Sequence, residues 1–371
     1  MNAYDLTFDQ LAEHLAGWGE PVYRARQVFD GLWRRAATYD EMTDLPAGLR
    51  ARLHEELPAA LEVLTEREAD EGATRKGLLR LGDSPGHVVE VVLMAYPHRM
   101  TVCVSSQAGC AMGCGFCATG QMGLLNNLTA GEIASQVVWA RRAARAVRPD
   151  ADKPLTNVVF MGMGEPMDES DNQGRRAMNV VFMGMGEPLA NERHVFGAIS
   201  RLSDPSGLGI GARRITVSTV GLVPGIARLA EAHPQVGLAV SLHAASDELR
   251  SELVPPNNLY NLAALEAAVA EWHRATHRRP SIEWVMIDKV NDTVEQAALL
   301  APIAKRLGAH VNLIPLNPTP GYPVMGSSPA RVRRFVQVLE REAVNVTVRD
   351  TRGRDIDAAC GQLALSTAPD R

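Results

Sequence analysis

From Met100 to the C-terminus, short apolar runs with the period of a strand alternate with longer runs of helical period, and this alternation narrows the fold more than anything else in the chain. MTVCVS is followed by LTAGEIASQVVWARRAARA, RITVSTVG by GIARLAEAH, VGLAVSLH by NLAALEAAVAEWHRA, SIEWVMI by TVEQAALLAPIAKRLG, and VNLIPLNP by SPARVRRFVQVLEREA. Parallel strands need a crossover of a dozen or more residues, usually a helix. About six strand–helix units therefore predict an α/β fold, as a barrel or a doubly wound sheet. Chemistry in such folds gathers at the carboxyl ends of the strands. The runs GMGEP, STVG, SLH and NPTPG are expected there. Thr129 and Glu132 are spaced as a capping box for the helix that begins after them.

The first 60 residues differ, with helical spacing in FDQLAEHLAGW, PVYRARQVFDGLWRRA and LPAGLRARLHEEL. From Leu61 to about residue 95 the period shifts towards two, separated by Gly72, Asp83 and Pro85. The expected organisation is a helical accessory domain over 1–60, a small β extension over 61–95, and the barrel domain over 96–371. No apolar run approaches the ~18 residues of a membrane span, and the N-terminus lacks an apolar leader core. A cytoplasmic protein is therefore expected. With 38 Lys and Arg against 43 Asp and Glu, the net charge of -5 rules out a uniformly basic coat for nucleic acid and leaves room for a local basic groove.

NVVFMGMGEP occurs twice without change, at Asn157–Pro166 and Asn179–Pro188. The 22-residue offset is shorter than a ~30-residue strand–helix unit, so this is a local duplication and not a repeat architecture. One copy alone can occupy the central strand. The second is expected there, because it runs through LANERHVF into an amphipathic helix, whereas the first runs into the polar stretch Asp168–Gly174. Leaving Val, Val, Phe and Met of the spare copy in water would forgo roughly 6 to 12 kcal/mol of burial, so that copy is expected to pack as an edge strand or against the barrel.

Cys110, Cys114 and Cys117 form C-x3-C-x2-C within GCAMGCGFCATG. With five cysteines in 371 residues, chance would place two more at these offsets about once in a thousand. Three thiolates on a cubane iron–sulfur cluster leave one iron open to a substrate or cofactor. The competing reading is a zinc knot with Cys103 as fourth ligand. Against it, Cys103 sits inside the apolar strand TVCVS.

CVSSQAGCAMGCGFCATG, GMGEP, STVG, SLH, LIPLNPTPG and AACGQL together resemble the radical S-adenosylmethionine RNA methyltransferases of the RlmN/Cfr family, most of all its RlmN branch, and the resemblance runs over essentially the whole chain. It implies a partial (βα)6 TIM-like radical SAM barrel. It further implies one [4Fe-4S] cluster on Cys110, Cys114 and Cys117, and two S-adenosylmethionine molecules per turnover. Gly186 and Glu187 match the family's cofactor-binding Gly-Glu pair, with Gly164 and Glu165 as the duplicate candidates. Ser218, then Ser241, Leu242 and His243, and Asn317 match its other cofactor contacts. The implied partners are 23S rRNA, some tRNAs, and an electron donor such as flavodoxin, with the protein a monomer.

The resemblance also implies a mechanism. Adenine C2 is electrophilic, so it cannot attack a sulfonium methyl directly, and a carbon radical is needed. Cys360 matches the cysteine that is first methylated and then, as a methylene radical, joins the base. Cys103 matches the second cysteine, whose thiolate attacks the sulfur of Cys360, releasing product and leaving a disulfide. Glu90, in VVEVVLMA, is either on the solvated face of an edge strand or partly buried with a raised pKa, and its neighbours alone favour the solvated place. The resemblance makes it the base that removes the C2 proton. C8 methylation of the same adenine and a non-catalytic zinc-stabilised RNA-binding protein are the alternative functions. Arginine clusters at 24, 26, 34 and 35, at 141, 142, 145 and 148, and at 331, 333 and 334 are solvated faces or phosphate contacts, and the N-terminal cluster is the favoured one.

Overall fold

The computed structural model describes residues 1–96, 99–147, 177–319, 321–349, 353–359 and 361–363. Three helices open the chain, α1 (Phe8–Ala16), α2 (Val22–Asp30) and α3 (Ala47–Glu56). Three strands follow, β1 (Leu61–Ala69), β2 (Thr74–Leu81) and β3 (Val88–Ala95). They pair antiparallel in sequence order, and β3 then pairs antiparallel with β4 (Arg99–Cys103). The β extension is thus continuous with the barrel wall.

From β4 onward the wall is parallel and wound in chain order: β7 (Ala177–Phe182), β8 (Ile215–Thr219), β9 (Gly237–Ser241), β10 (Ser281–Met286), β11 (His310–Pro315) and β12 (Val346–Val348). Neighbours in space being neighbours in sequence is the winding of an open barrel and not of a doubly wound sheet. The crossovers are α5 (Ala130–Val147), α6 (Glu192–Ser203), α7 (Val223–Ala232), α8 (Asp247–Leu253) with α9 (Leu262–Thr276), α10 (Val294–Arg306) and α11 (Pro329–Arg341). All five residues of β8 are buried, as expected for a strand covered on both faces, and each buried Ile or Val there contributes about 1.5 to 3 kcal/mol.

The second copy of the duplicated segment forms β7. Val102 of β4 is in register with Val180, and Val181 with Thr216 of β8, so the strand is central. The first copy, with Gly164 and Glu165, lies outside the described residues.

The helical module is fastened to α5 by the arginines offered above as phosphate contacts, a correction to that reading. Arg141 is buried and donates to the carbonyls of Trp33 (2.6 Å) and Arg34 (3.2 Å); Arg142 donates to Ala36 (3.1 Å) and pairs with Glu41; Arg145 donates to Arg35 (2.9 Å). Those carbonyls belong to the last turn after α2, where the helix dipole places negative charge and leaves acceptors unmatched. Arg148 lies outside the described residues. The capping box at the start of α5 forms as the sequence predicts: Thr129 N donates to Glu132 (2.9 Å) and Glu132 N to Thr129 Oγ1 (3.2 Å).

Candidate active site

The cysteine loop sits on a hairpin of its own, β5 (Gln107–Cys110) paired with β6 (Gly123–Asn127), inserted between β4 and α5. Cys110 ends β5 and Cys117 precedes the short helix α4 (Ala118–Gln121). Gly109 has φ +72, and a Cβ there would collide with the carbonyl of Gly123 across the hairpin, so the loop entrance requires glycine. Burial pushes the Cys110 thiol up to about 12, with the Glu187 carboxylate and Cys117 adding to it. Cys114 is raised further, again by burial first and then by Cys117 and Cys110, while Arg250 opposes the shift. Three thiols that sense one another in a buried loop ionise readily only with a cation among them.

Among the described residues, no three His, Cys, Asp or Glu side chains converge closely enough to hold one metal ion. Three thiolates on a cubane would each sit on a separate iron. Cys103 lies in β4 with Val92 of β3 on one side and Val181 of β7 on the other, so it belongs to the sheet and not to the loop.

Beside the loop, at the carboxyl ends of the strands, is a cavity with about 150 Å³ of room for water-sized molecules. Cys117, Gly186, Glu187, Ser218, Ser241 and His243 line it, together with Phe182, Met183, Glu283, Arg349 and Gly361. Glu187 is held from three directions. Its Oε1 accepts from Leu189 N (3.0 Å), its Oε2 from Val220 N (2.9 Å), and its own amide donates to Gln107 Oε1 (2.9 Å). Burial outweighs those bonds and raises its carboxyl to about 7. Gly186 has φ +99, and a Cβ there would come within 2.6 Å of Gln107 Cβ.

Ser218 and Ser241 end neighbouring strands with their hydroxyl oxygens 3.4 Å apart. His243 adopts φ +62, and its Nδ1 accepts from Val285 N at 3.0 Å, which leaves Nε2 as the N–H. Burial, helped by Arg250, lowers it to about 3, so the ring is neutral, and it stands edge-on to Phe116 with centroids 5.0 Å apart. Leu242 and Asn317 are buried but do not line the cavity.

Glu90 corrects the reading made from its neighbours alone. β3 is flanked by β2 and β4, and the side chain is buried, with Oε1 2.9 Å from Lys76 Nζ. Cys360 lies outside the described residues. Of its chain neighbours, Ala359 is buried and Gly361 lines the cavity, its carbonyl accepting from Ala118 N at 2.9 Å.

Three contributors had no clear signal in the sequence. Arg250, in the polar run DELRSEL, reads as a surface residue, yet it is buried and donates to the carbonyls of Leu242 (3.1 Å) and Val220 (2.6 Å) and to Asn257 Oδ1 (2.8 Å), clamping two strand ends. Asn291 donates to the carbonyls of His243 (2.8 Å) and Val285 (2.6 Å) and fixes the turn that aims the imidazole. Glu283 faces the cavity from β10, raised by burial against the pull of Arg349 and of a 2.9 Å bond from Asn312. A carboxylate inside the apolar run SIEWVMI was its only mark.

Residues 104–301 match the family model of the radical SAM superfamily, and residues 1–58 match that of the ribosomal RNA large subunit methyltransferase N-terminal domain. The chain is 48% identical to a probable dual-specificity RNA methyltransferase RlmN of Chloroflexus aurantiacus, over 97% of this chain and 92% of that protein. It is 49% identical to the protein of the same description in Thermobifida fusca, over 98% and 94%. The crystal structure of a radical SAM methyltransferase from Sphaerobacter thermophilus matches with a TM-score of 0.87 and 48% identity, covering 98% of this chain and 99% of that one.

Proposed function

The chain belongs to the RlmN family of the radical SAM superfamily, and we propose that it methylates C2 of an adenine in 23S rRNA, and of adenine 37 in some tRNAs, by way of a methyl group carried on Cys360. It is an RNA methyltransferase whose cofactors are a [4Fe-4S] cluster and S-adenosylmethionine. When bound, these supply one-electron chemistry and the methyl groups. The residues fit them: three cysteine sulfurs on one loop, beside a cavity walled by a carboxylate, two hydroxyls and a neutral imidazole. Cys110, Cys114 and Cys117 would hold the cluster.

Gly186, Glu187, Ser218, Ser241, Leu242, His243 and Asn317 would surround the nucleoside cofactor. Glu187 keeps lone pairs for an ammonium group while two amides fix its plane, and the paired Ser hydroxyls suit a ribose. Side chains held by such bonds before a ligand arrives are the advantage of a preorganised site.

Adenine C2 carries a proton that must leave once a carbon radical from Cys360 has bonded there and the adduct has given up its unpaired electron. Glu90 accepts the proton, and the Cys103 thiolate then attacks the Cys360 sulfur: a disulfide forms, the carbon–sulfur bond breaks, and the carbon keeps the bonding pair and takes up a proton to become the methyl group. A flavodoxin-like protein would supply electrons, and the enzyme would act as a monomer in the cytoplasm. Among the described residues no helix is long and apolar enough to cross a membrane.

The observation that carries the reading is that Cys117, Glu187, Ser218, Ser241, His243 and Gly361 share one cavity. Mass mapping of 23S rRNA and tRNA from a strain lacking its own enzyme and carrying this gene tests it. 2-Methyladenosine is expected, and 8-methyladenosine would overturn the regiochemistry.

A further inference from the structure

Lys76 of β2 is buried in the sheet, opposite Val92 of β3 and diagonal to Glu90. Its ammonium makes two contacts in different parts of the chain: Nζ lies 2.9 Å from Glu90 Oε1, and it donates to the main-chain carbonyl of Asp357 at 3.2 Å. Asp357 stands three residues before Cys360 in the sequence, in a segment held at its start by Gly353 N donating to Asp70 (3.2 Å) and Ala358 N donating to Gly353 (2.8 Å). Burying a lysine with a carboxylate gains little stability against hydrophobic residues of the same volume, so fold stability alone does not account for this pair. A single cation that reaches both the carboxylate and the turn fixes their separation.

We propose that Lys76 is a positioning residue for the methyl transfer, aiming Glu90 while tethering the turn that leads to Cys360. The inference rests on the reading of Glu90 as the acceptor of the C2 proton. The contact of Lys76 with Oε1 orients the buried side chain of Glu90, and its second hydrogen bond ties the acceptor to the segment that delivers the carbon.

The test compares Lys76→Met, Lys76→Arg and Glu90→Gln in the reconstituted enzyme. Lys76→Met is expected to lower kcat about 100-fold or more, the usual worth of a general base, with KM for RNA changed less than about threefold. It should also accumulate the same covalent protein–RNA species as Glu90→Gln, because the adduct cannot resolve until C2 loses its proton. Amide exchange over 353–359 should quicken in Lys76→Met and return towards wild type in Lys76→Arg. Wild-type turnover in folded Lys76→Met, with Glu90→Gln inactive, would overturn the inference. Wild-type turnover in Glu90→Gln would instead overturn the reading of Glu90. If Lys76→Met does not fold, Lys76→Met/Glu90→Gln, which buries neither charge, carries the exchange measurement. Exchange over 353–359 no faster than in Glu90→Gln alone would overturn the tether.

Discussion

The amide of Ala118, one residue past Cys117 in the sequence, donates to the carbonyl of Gly361, one residue past Cys360, at 2.9 Å. A second bond reinforces it, Thr119 Oγ1 to the carbonyl of Leu363 at 2.5 Å. The cluster loop and the end of the chain are thereby joined across about 240 residues of sequence. The end of the chain, where Cys360 stands in the sequence, is thus tied to the cluster loop, and separate variants distinguish the role proposed for Cys360 from that proposed for Cys103. Cys360→Ala should abolish methyl transfer to RNA and form no covalent RNA species. Cys103→Ala should stop later and trap RNA on the protein, visible as a nuclease-sensitive shift on a denaturing gel. If Cys103→Ala yields no crosslinked species, its assigned role is wrong.

Anaerobic purification followed by metal and sulfide analysis tests the cysteine loop itself. About four iron and four sulfide per chain are expected, falling to near zero in Cys117→Ala, which should keep its far-UV circular dichroism because the loop hairpin forms a two-stranded sheet separate from the barrel wall. Colourless protein with one zinc would restore the zinc knot and sink the radical reading.

Strand–helix alternation announced the barrel because each crossover helix has one apolar stripe and each central strand is apolar throughout, two patterns a sequence carries openly. The cysteine spacing was legible for a similar reason, since rare residues at short offsets stand out. Glu90 was misread from its neighbours because burial of β3 depends on β2 and β4 closing over both its edges, a long-range fact. The arginines of α5 misled in the same way: helical spacing showed that they share a face, and only the packed structure reveals that the face meets the end of α2 and not solvent. Arg250 and Asn291 act through main-chain carbonyls, and such partners leave no trace in a residue pattern.

Gly186→Ala should damage binding and stability together. The φ of +99 strains any side chain, and the new Cβ would displace Gln107, whose Oε1 holds the amide of Glu187. A loss of about 1 to 3 kcal/mol is expected, a fall of roughly 2 to 6 °C in Tm, along with at least about tenfold weaker S-adenosylmethionine binding by calorimetry. An unchanged Tm with unchanged affinity would show the close approach to be unimportant.

His310 gives a prediction for acid stability. It is buried in β11 with Nε2 2.9 Å from Thr347 Oγ1, and burial, with Arg279 nearby, depresses it to about 4. In the unfolded chain it takes a proton below about 6.5, while the folded state refuses one until about 4, so its contribution is complete above pH 6.5 and is lost as pH falls towards 4. The loss amounts to at most about 3 kcal/mol. Urea unfolding at pH 7, 6, 5 and 4.5 should show the stability advantage of wild type over His310→Gln shrinking by that order, and a difference independent of pH would contradict the assignment.

The duplicated segment is separable on structural grounds. Register between β4 and β7 runs Arg99 to Ala177, Met100 to Met178, Thr101 to Asn179, Val102 to Val180 and Cys103 to Val181, so the pairings nearest the cavity use only the second copy. Deleting residues 157–178 brings Leu155 and Thr156 to the positions of Ala177 and Met178 and leaves Asn179–Pro188 unaltered. Glu187 keeps its bonds to Leu189 and Val220, Gly186 keeps its approach to Gln107, and Ser105 Oγ still accepts from Met185 N at 2.9 Å. Loop-closure entropy changes slowly with length, so shortening the connection between α5 and β7 by 22 residues costs or gains less than about 1 kcal/mol on that account. The shortened protein is therefore expected to bind S-adenosylmethionine and methylate RNA within about twofold of the full chain, and its Tm reads out any burial by the first copy. A tenfold loss of activity, or a Tm lower by more than about 5 °C, would mean that the first copy contributes to the working structure.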